Sequence, residues 1–361
     1  MNKQINVEVA VDSFGTHTHQ IFCGLNILKN RQLINLKYIR PPRWMIKRPT
    51  RQLVFVRATN AGQIGSHVYD LNDSADIANP EALAHIDYYH KRSYSRSGYK
   101  MILDHQKIKP LGFNYQMQAG SSSDFIRRVF GDFLFHPYNP FARKQRPHVE
   151  SIVKYARDMF IRDNISRQVL YEHEISRPPV SNNNKTVLFQ CRLWDPDFFP
   201  YAHRDHINDL NAQRISVVRA LTKEFGKQFV GGLQFNDYAQ RIAKDLIIKN
   251  PSNRRAYLNA VNDALVVVTT NGISDSIGWK MGEFVAASKA IVCEPLQHIV
   301  VGEFINGRNY LEFNSVDECV NNCRRLMDDR ALNFELSSNC FDYYNNYLRP
   351  DILVLNSLIF N

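Results

Sequence analysis

Residues 264–294 constrain the fold more than any other stretch. ALVVVTT (264–270) is a β-branched apolar run, NGISDSI leaves it as a polar turn, GWKMGEFVAASK (278–289) has helical apolar spacing, and AIVCE (290–294) is apolar again. A continuous apolar run of that kind is a strand buried on both faces, and a strand–helix–strand passage joins parallel neighbours. Yet the passage also carries Ser274, Asp275, Ser276, Lys280, Glu283 and Glu294. Polar groups in such numbers inside a core-building segment need a chemical reason.

The same rhythm runs along much of the chain. INVEVAV (5–11), INLKYI (34–39), LVFVRA (53–58), HVYDL (67–71) and IKPLGF (108–113) read as strands, QIFCGLNILKN (20–30) as a helix, and ANPEALAHIDYYHKRSYS (78–95) as a helix opened by Pro80. SRPPVSNNNK (176–185) is a linker by its prolines and turn formers. Beyond it come strands at 185–193, 228–233, 264–270, 290–294 and 309–313. Helices are expected at 207–226, 236–250, 278–289 and 315–329, the last opened by the capping box Ser315 and Glu318. Between the halves, residues about 120–150 form a basic, aromatic and proline-rich insertion, with helices expected at 122–135 and 148–162. The C-terminal tail is helical with an aromatic face. Strands alternating with helices on both sides of a linker predict an α/β chain of two parallel-sheet domains.

The chain has 361 residues and a net charge of +10, which suits an anionic partner: a nucleotide, a phospholipid surface or nucleic acid. No stretch approaches the roughly 20 apolar residues that span a bilayer, and the start lacks a secretory pattern, so a cytoplasmic protein is expected. The six cysteines form no CxxC pair and read as reduced, buried thiols. His203, Asp205 and His206 in AHRDHIND lie at a helix start and read as a cap rather than a metal site; no metal is expected.

In open parallel sheets, ligands sit beyond the carboxyl ends of the strands. The turn after ALVVVTT lies at that edge, and the helix after it presents backbone N–H groups and a positive dipole end. Ser274 and Ser276 can donate hydroxyl hydrogen bonds there, and Lys280 adds a full charge, a set suited to a diphosphate. Glu283, one turn on, can accept two hydrogen bonds from the cis-diol of a ribose, and Asp275 can reach a polyol.

Asp275, seven intervening residues, Glu283 and the following EFVAASKAIVCEP resemble the donor-binding motif of GT-B glycosyltransferases of the family 4-like group. VGEFINGRNYLEFNSVDECVNNCRRLMDD resembles that family's glycine turn, short strand and helix. KTVLFQCRLWDPD resembles the first strand of its nucleotide-binding half, which places Arg192 at the donor phosphates, and KIKPLGFN resembles the segment closing its acceptor half. The resemblance covers residues 185–330 well and the N-terminal half in outline. Two positions depart from the pattern. The first acid is Asp rather than Glu, and the lysine usually found soon after the arginine is replaced by LWDPD, so Lys280 is expected in its role.

The resemblance implies two Rossmann-like domains facing across a cleft. An acceptor-binding domain would occupy 1–180 and a nucleotide-sugar-binding domain 181–335. A helical tail at 336–361, with Phe341, Tyr343 and Tyr344, would pack back on the N-terminal domain. It implies a metal-independent enzyme without cofactor that transfers a sugar from a nucleotide-sugar donor to a glycan or lipid-linked acceptor, as in lipopolysaccharide or capsule synthesis. An inverting enzyme would also need a base in the acceptor half; Asp12, His17 and His19 in DSFGTHTHQ, or Asp70 and Asp73 after HVYDL, are the candidates. The insertion could rest on the anionic inner face of a membrane. Two other readings stay open: a basic nucleic-acid-binding protein, although no nucleic-acid motif is present, and a non-catalytic nucleotide-sugar-binding module.

Overall fold

A computed structural model of the protein describes residues 4–11, 16–47, 52–118, 171–181, 184–249 and 253–359. The insertion at 120–150 with its two expected helices, and Asp12, lie outside the described residues. The chain is α/β and divides into two compact units. Unit 1 comprises residues 1–174, 298–302 and 345–361; unit 2 comprises 175–297 and 303–344.

Unit 1 is built on β1 (Ile5–Val11), β2 (Ile34–Tyr38), β3 (Leu53–Asn60), β4 (Gln63–Asp70), β5 (Tyr88–Lys91), β6 (Tyr94–Ser95) and β7 (Ile108–Pro110). Six of them form one sheet in the order β2-β1-β3-β4-β5-β7. All run parallel except β3, which is antiparallel to both β1 and β4. The departure from an unbroken parallel sheet has a local cause. Ala61 (φ 50°) and Gly62 (φ 90°) form a two-residue turn with both residues left-handed, the geometry that matches the twist of a tight hairpin. β6 pairs antiparallel with β12 (His298–Ile299), a strand the chain supplies late.

The helix expected over 78–95 is a short 3₁₀ turn, Pro80–His85, followed by β5 and β6. Tyr88–Lys91 pairs with β4 and β7 instead, and its aromatic, largely buried sequence fits the interior of a sheet. One apolar core gathers Val7, Val9, Ile21, Leu25, Val54 and Tyr69 with Leu353 and Val354; another gathers Trp44, Phe55, Val68 and Tyr89.

The C-terminal helix Pro350–Leu358 belongs to unit 1 and packs on the helix His19–Asn30. The contact depends on Gly24, where an added Cβ would stand 2.2 Å from the Pro350 carbonyl oxygen. Asp351, fully buried, binds Arg31 at 2.6 Å and Arg349 at 2.8 Å. Tyr343 meets Phe304 edge-on, ring centres 4.9 Å apart, inside unit 2.

Unit 2 holds β8 (Val187–Cys191), β9 (Phe229–Leu233), β10 (Val266–Thr269), β11 (Ala290–Cys293) and β13 (Tyr310–Glu312) in one fully parallel sheet, ordered β13-β11-β10-β8-β9. Residues 187, 189 and 191, 266 and 268, and 290 and 292 face one core with the helices Arg204–Phe225 and Val316–Asp328. A sheet buried on both faces reads as continuous apolar runs, as 264–270 does. All six cysteines are buried free thiols. Among the described residues no helix is long and apolar enough to cross a membrane.

Candidate functional site

The strand order of unit 2 fixes where a ligand belongs. The first strand, β8, has the second, β9, on one side and the third, β10, on the other. The connections therefore diverge between β8 and β10, and their carboxyl ends open a crevice, the usual ligand position in such sheets. Arg192 follows β8 and the segment 270–276 follows β10, so the sequence motif converges on this switch point.

Arg214, from the helix Arg204–Phe225, holds the crevice in shape. Its guanidinium is buried and donates to the carbonyls of Arg192 (2.5 Å) and Asn271 (2.9 Å) and to Thr270 Oγ1 (3.1 Å). Burial lowers its pKa, partly offset by Cys191 and Glu294. Glu294, after β11, accepts the Asn271 N–H at 2.6 Å, and burial pushes its carboxyl up. Thus three strand ends are tied by two side chains.

The loop 272–276 closes on itself: Gly272 N–H donates to the Ser276 carbonyl at 2.7 Å and Ser276 N–H to that of Ile273 at 3.2 Å. A Cβ on Gly272 would stand 2.7 Å from Ser276 Oγ and 3.1 Å from the Ser276 carbonyl oxygen, so a larger residue there would have to turn the Ser276 hydroxyl aside. Ser274 and Asp275 both take left-handed backbone, φ 57° and 55°, which costs energy in non-glycine residues and marks a functional or tightly determined loop. Their side chains are exposed, whereas Ser276 is buried. Asp275 Oδ1 lies 3.9 Å from His206 Nε2, at the start of the long helix. His206 is thus part of the crevice rim rather than a helix cap.

Lys280 and Glu283 project from the helix Trp279–Ala286 into a buried polar group. Lys280 Nζ donates to the Gln190 carbonyl on β8 and lies 5.7 Å from the centre of the Tyr257 ring. Burial pulls its pKa down to about 8; the charges of Arg214 and Arg254 lower it further, against Cys191 and Glu283. Glu283, 2 % exposed, receives Arg254 on Oε1 at 2.7 Å, while its Oε2 has no hydrogen-bond partner among the described residues. Tyr257 Oη, also buried, has none either; burial and the Glu283 charge keep that phenol protonated. Burial alone would lower the Arg254 pKa, and the Glu283 carboxylate more than reverses it. Unpaired buried polar atoms are few in native proteins and each calls for an explanation.

Arg192 is exposed, and its guanidinium lies 5.0 Å from the centre of the Trp194 ring. Of the residues singled out in the sequence, Arg192, Ser274, Asp275, Ser276, Lys280 and Glu283 come from the segment after β8 and from the loop and helix after β10. Sequence reasoning missed Arg214, Arg254, Tyr257 and the place of His206. Their spacing has no signature, because they come from two helices whose sites are set by topology.

In unit 1, His19 is buried and its Nδ1 lies 2.9 Å from the Met117 carbonyl. The His17 carbonyl accepts from Asn114 Nδ2 at 2.8 Å. Burial lowers the His17 pKa, Arg92 lowers it further, and Asp73 raises it. Asp70 is fully buried and satisfied: it accepts from Asn72 N–H and Nδ2, Ala78 N–H and Tyr89 Oη, and pairs with Lys91 at 3.0 Å. Asp73 pairs with buried Arg92. Asp70 therefore joins the ends of β4 and β5, and His17, in the 3₁₀ turn Thr16–Thr18, lies within the electrostatic reach of Arg92 and Asp73.

No family model and no curated protein matches the chain. Solved structures similar to it include a glycosyltransferase from Rickettsia africae at 12 % identity, covering 96 % of this chain and 81 % of that one with a TM-score of 0.43. A putative UDP-N-acetylglucosamine 2-epimerase from Listeria monocytogenes matches at 10 %, covering 99 % and 95 %, TM-score 0.39. TarM of S. aureus, solved with fondaparinux, α-GlcNAc-glycerol and UDP, matches at 12 %, TM-score 0.36; the alignment covers 85 % of this chain and 64 % of that one. Likeness of this degree assigns no chemistry, which rests on the crevice itself.

Proposed function

We propose that the protein is a metal-independent glycosyltransferase whose unit 2 binds a nucleotide-activated sugar. The observation that carries the reading is Glu283 Oε2, a buried carboxylate oxygen on the helix after β10 with no hydrogen-bond partner among the described residues, whose charge is felt by the Tyr257 hydroxyl, a second buried group with none among them. A ribose diol satisfies such an acceptor with two donors. Arg192 and Lys280 supply positive charge for the diphosphate, and Ser274 and Ser276 supply hydroxyl donors. Asp275, held out on left-handed backbone, is the group for the sugar's hydroxyls.

Breaking the bond from the anomeric carbon to the phosphate develops negative charge on the leaving group. Preorganised cations stabilise that charge, so arginine and lysine can do the work otherwise given to a divalent ion. The acceptor is a glycan of the surface-polysaccharide, lipopolysaccharide or lipid-linked class, taken by unit 1, with His17 beside Arg92 and Asp73 as the group for the acceptor hydroxyl. The insertion at 120–150 would bring the enzyme to an anionic membrane surface on the cytoplasmic side. No nucleic-acid partner is proposed.

The test is a thermal-shift screen of the purified chain against UDP, GDP, CMP, dTDP and their sugars without added metal. A ligand that binds only the native state raises Tm. A rise confined to one nucleotide family supports the donor site; a rise with an oligonucleotide and with no nucleotide sugar contradicts it.

A further inference from the structure

The loops after β8 and β9 carry an unusual surface. Phe198 is 85 % exposed, Tyr201 88 % and Phe235 63 %. Trp194 and Phe199 are half-buried beside them, edge to face at 6.3 Å. Large aromatic side chains held out in water contribute nothing to the stability of the unit, and clusters of them mark a surface that meets something else.

The display is rigid. Asp195 caps the turn Pro196–Phe198 by accepting the Asp197 N–H at 3.1 Å, and Pro200 opens a second turn, Tyr201–His203. Proline at the head of each turn presets the backbone. The two loops are tied together by Gln234 N–H to the Cys191 carbonyl (2.7 Å), Asn236 Nδ2 to the Leu193 carbonyl (2.8 Å) and an Arg241–Asp195 ion pair (2.7 Å).

Charge decides what the surface takes. Residues 192–205 carry Arg192 and Arg204 against Asp195, Asp197 and Asp205, a net of −1 in a chain of +10. An anionic bilayer or a nucleic acid selects a surplus of lysine and arginine, and this patch lacks it. Aromatic faces beside exposed carboxylate and guanidinium groups suit a neutral sugar, whose apolar C–H face lies on a ring while its hydroxyls meet the charged groups. Asp197, with its side chain 78 % exposed and Arg204 at 3.0 Å, is placed for the second task. We infer that Phe198, Tyr201 and Phe235, with Asp197 and Arg204, form a binding platform on unit 2 for a neutral oligosaccharide chain. The platform rests on these side chains and not on Glu283 or Lys280, so it stands whether or not the donor site does.

The experiment is saturation-transfer NMR and intrinsic fluorescence titration of the full chain with maltoheptaose, cellohexaose, mannohexaose and chitohexaose. It compares the wild type with the double variant Phe198→Ser/Tyr201→Ser. Both substituted side chains are exposed, so circular dichroism and Tm should match the wild type. The inference expects binding of at least one oligosaccharide, with ring-face protons saturated, and affinity at least tenfold weaker in the double variant. The nucleotide-induced thermal shift should be unchanged by that variant. Absence of binding to all four probes, or equal binding by both proteins, overturns it. So does vesicle sedimentation on phosphatidylcholine–phosphatidylglycerol that the double variant loses, or a wild-type dimer that the double variant converts to monomer.

Discussion

Glu283 gives one carboxylate oxygen to Arg254 at 2.7 Å and holds the other buried, with no hydrogen-bond partner among the described residues. On the proposed function, Arg254 fixes the carboxylate's orientation and the second oxygen is left for the donor's ribose. Glu283→Ala should therefore do two separable things. It takes the carboxylate away from the buried Arg254 guanidinium, and breaking a buried pair from one side costs about 3–5 kcal/mol. It also weakens nucleotide-sugar binding. Glu283→Gln, which keeps the shape, should lose less stability and still bind more weakly. Chemical denaturation read beside calorimetric titration separates the two effects.

Arg214 should matter as much to the crevice without touching a ligand. Its three donors link the ends of β8 and β10. Arg214→Leu leaves the part-buried Arg192 and Asn271 carbonyls without this donor, at about 1–3 kcal/mol each where water does not replace it. The expected loss is about 3 kcal/mol in urea denaturation, with nucleotide affinity falling in whatever protein remains folded.

The Lys280 ammonium, brought by burial to about 8, titrates within reach of experiment. Above that pH it is neutral and no longer attracts a diphosphate. Nucleotide affinity should fall about tenfold between pH 7 and 9, as a charge-assisted hydrogen bond of about 1.5–3 kcal/mol fades. Lys280→Gln should bind weakly at both values, with a flat profile.

Unit 1 has its own pH signature. His67 and His90 are buried with ring nitrogens 3.1 Å apart. Burial brings His67 to about 4, against a small opposing effect of Asp87, and burial, then His67 and Lys109, depress His90. A folded-state value below the unfolded one means that the unfolded chain binds more protons. Stability is full above about pH 6.5 and is lost as pH falls toward 4, by about 3 kcal/mol for His67. His67→Gln should flatten that part of the Tm-against-pH curve.

Gly24→Ala tests the closing helix. The new methyl would meet the Pro350 carbonyl and Val354 side chain. Overpacking of this kind costs about 1–3 kcal/mol. Protease nicking near residues 349–359 should increase, while binding of nucleotide to unit 2 is preserved.

The parallel sheet of unit 2 was legible because a strand buried on both faces leaves an unbroken apolar run, as ALVVVTT and AIVC do. Unit 1 was less so. Ala61-Gly62 is a weak hairpin signal beside Asn-Gly, and YYHK lies in a helix-like pattern that strand pairing overrides. Within the site, the sequence showed the residues sharing one loop and one helix. Arg214, Arg254 and Tyr257 stayed hidden because only the strand order brings them to the switch point. Lys280 was legible as a cation but not as one turned inward to the Gln190 carbonyl.

The most direct test of the account is calorimetric titration of wild type, Glu283→Gln and Arg192→Ala with the nucleotide sugar that the thermal screen selects, paired with turnover. The account predicts metal-free binding by the wild type, weaker binding by Glu283→Gln, and lower turnover in Arg192→Ala, with all three proteins folded. Wild-type affinity in Glu283→Gln and wild-type turnover in Arg192→Ala would contradict it.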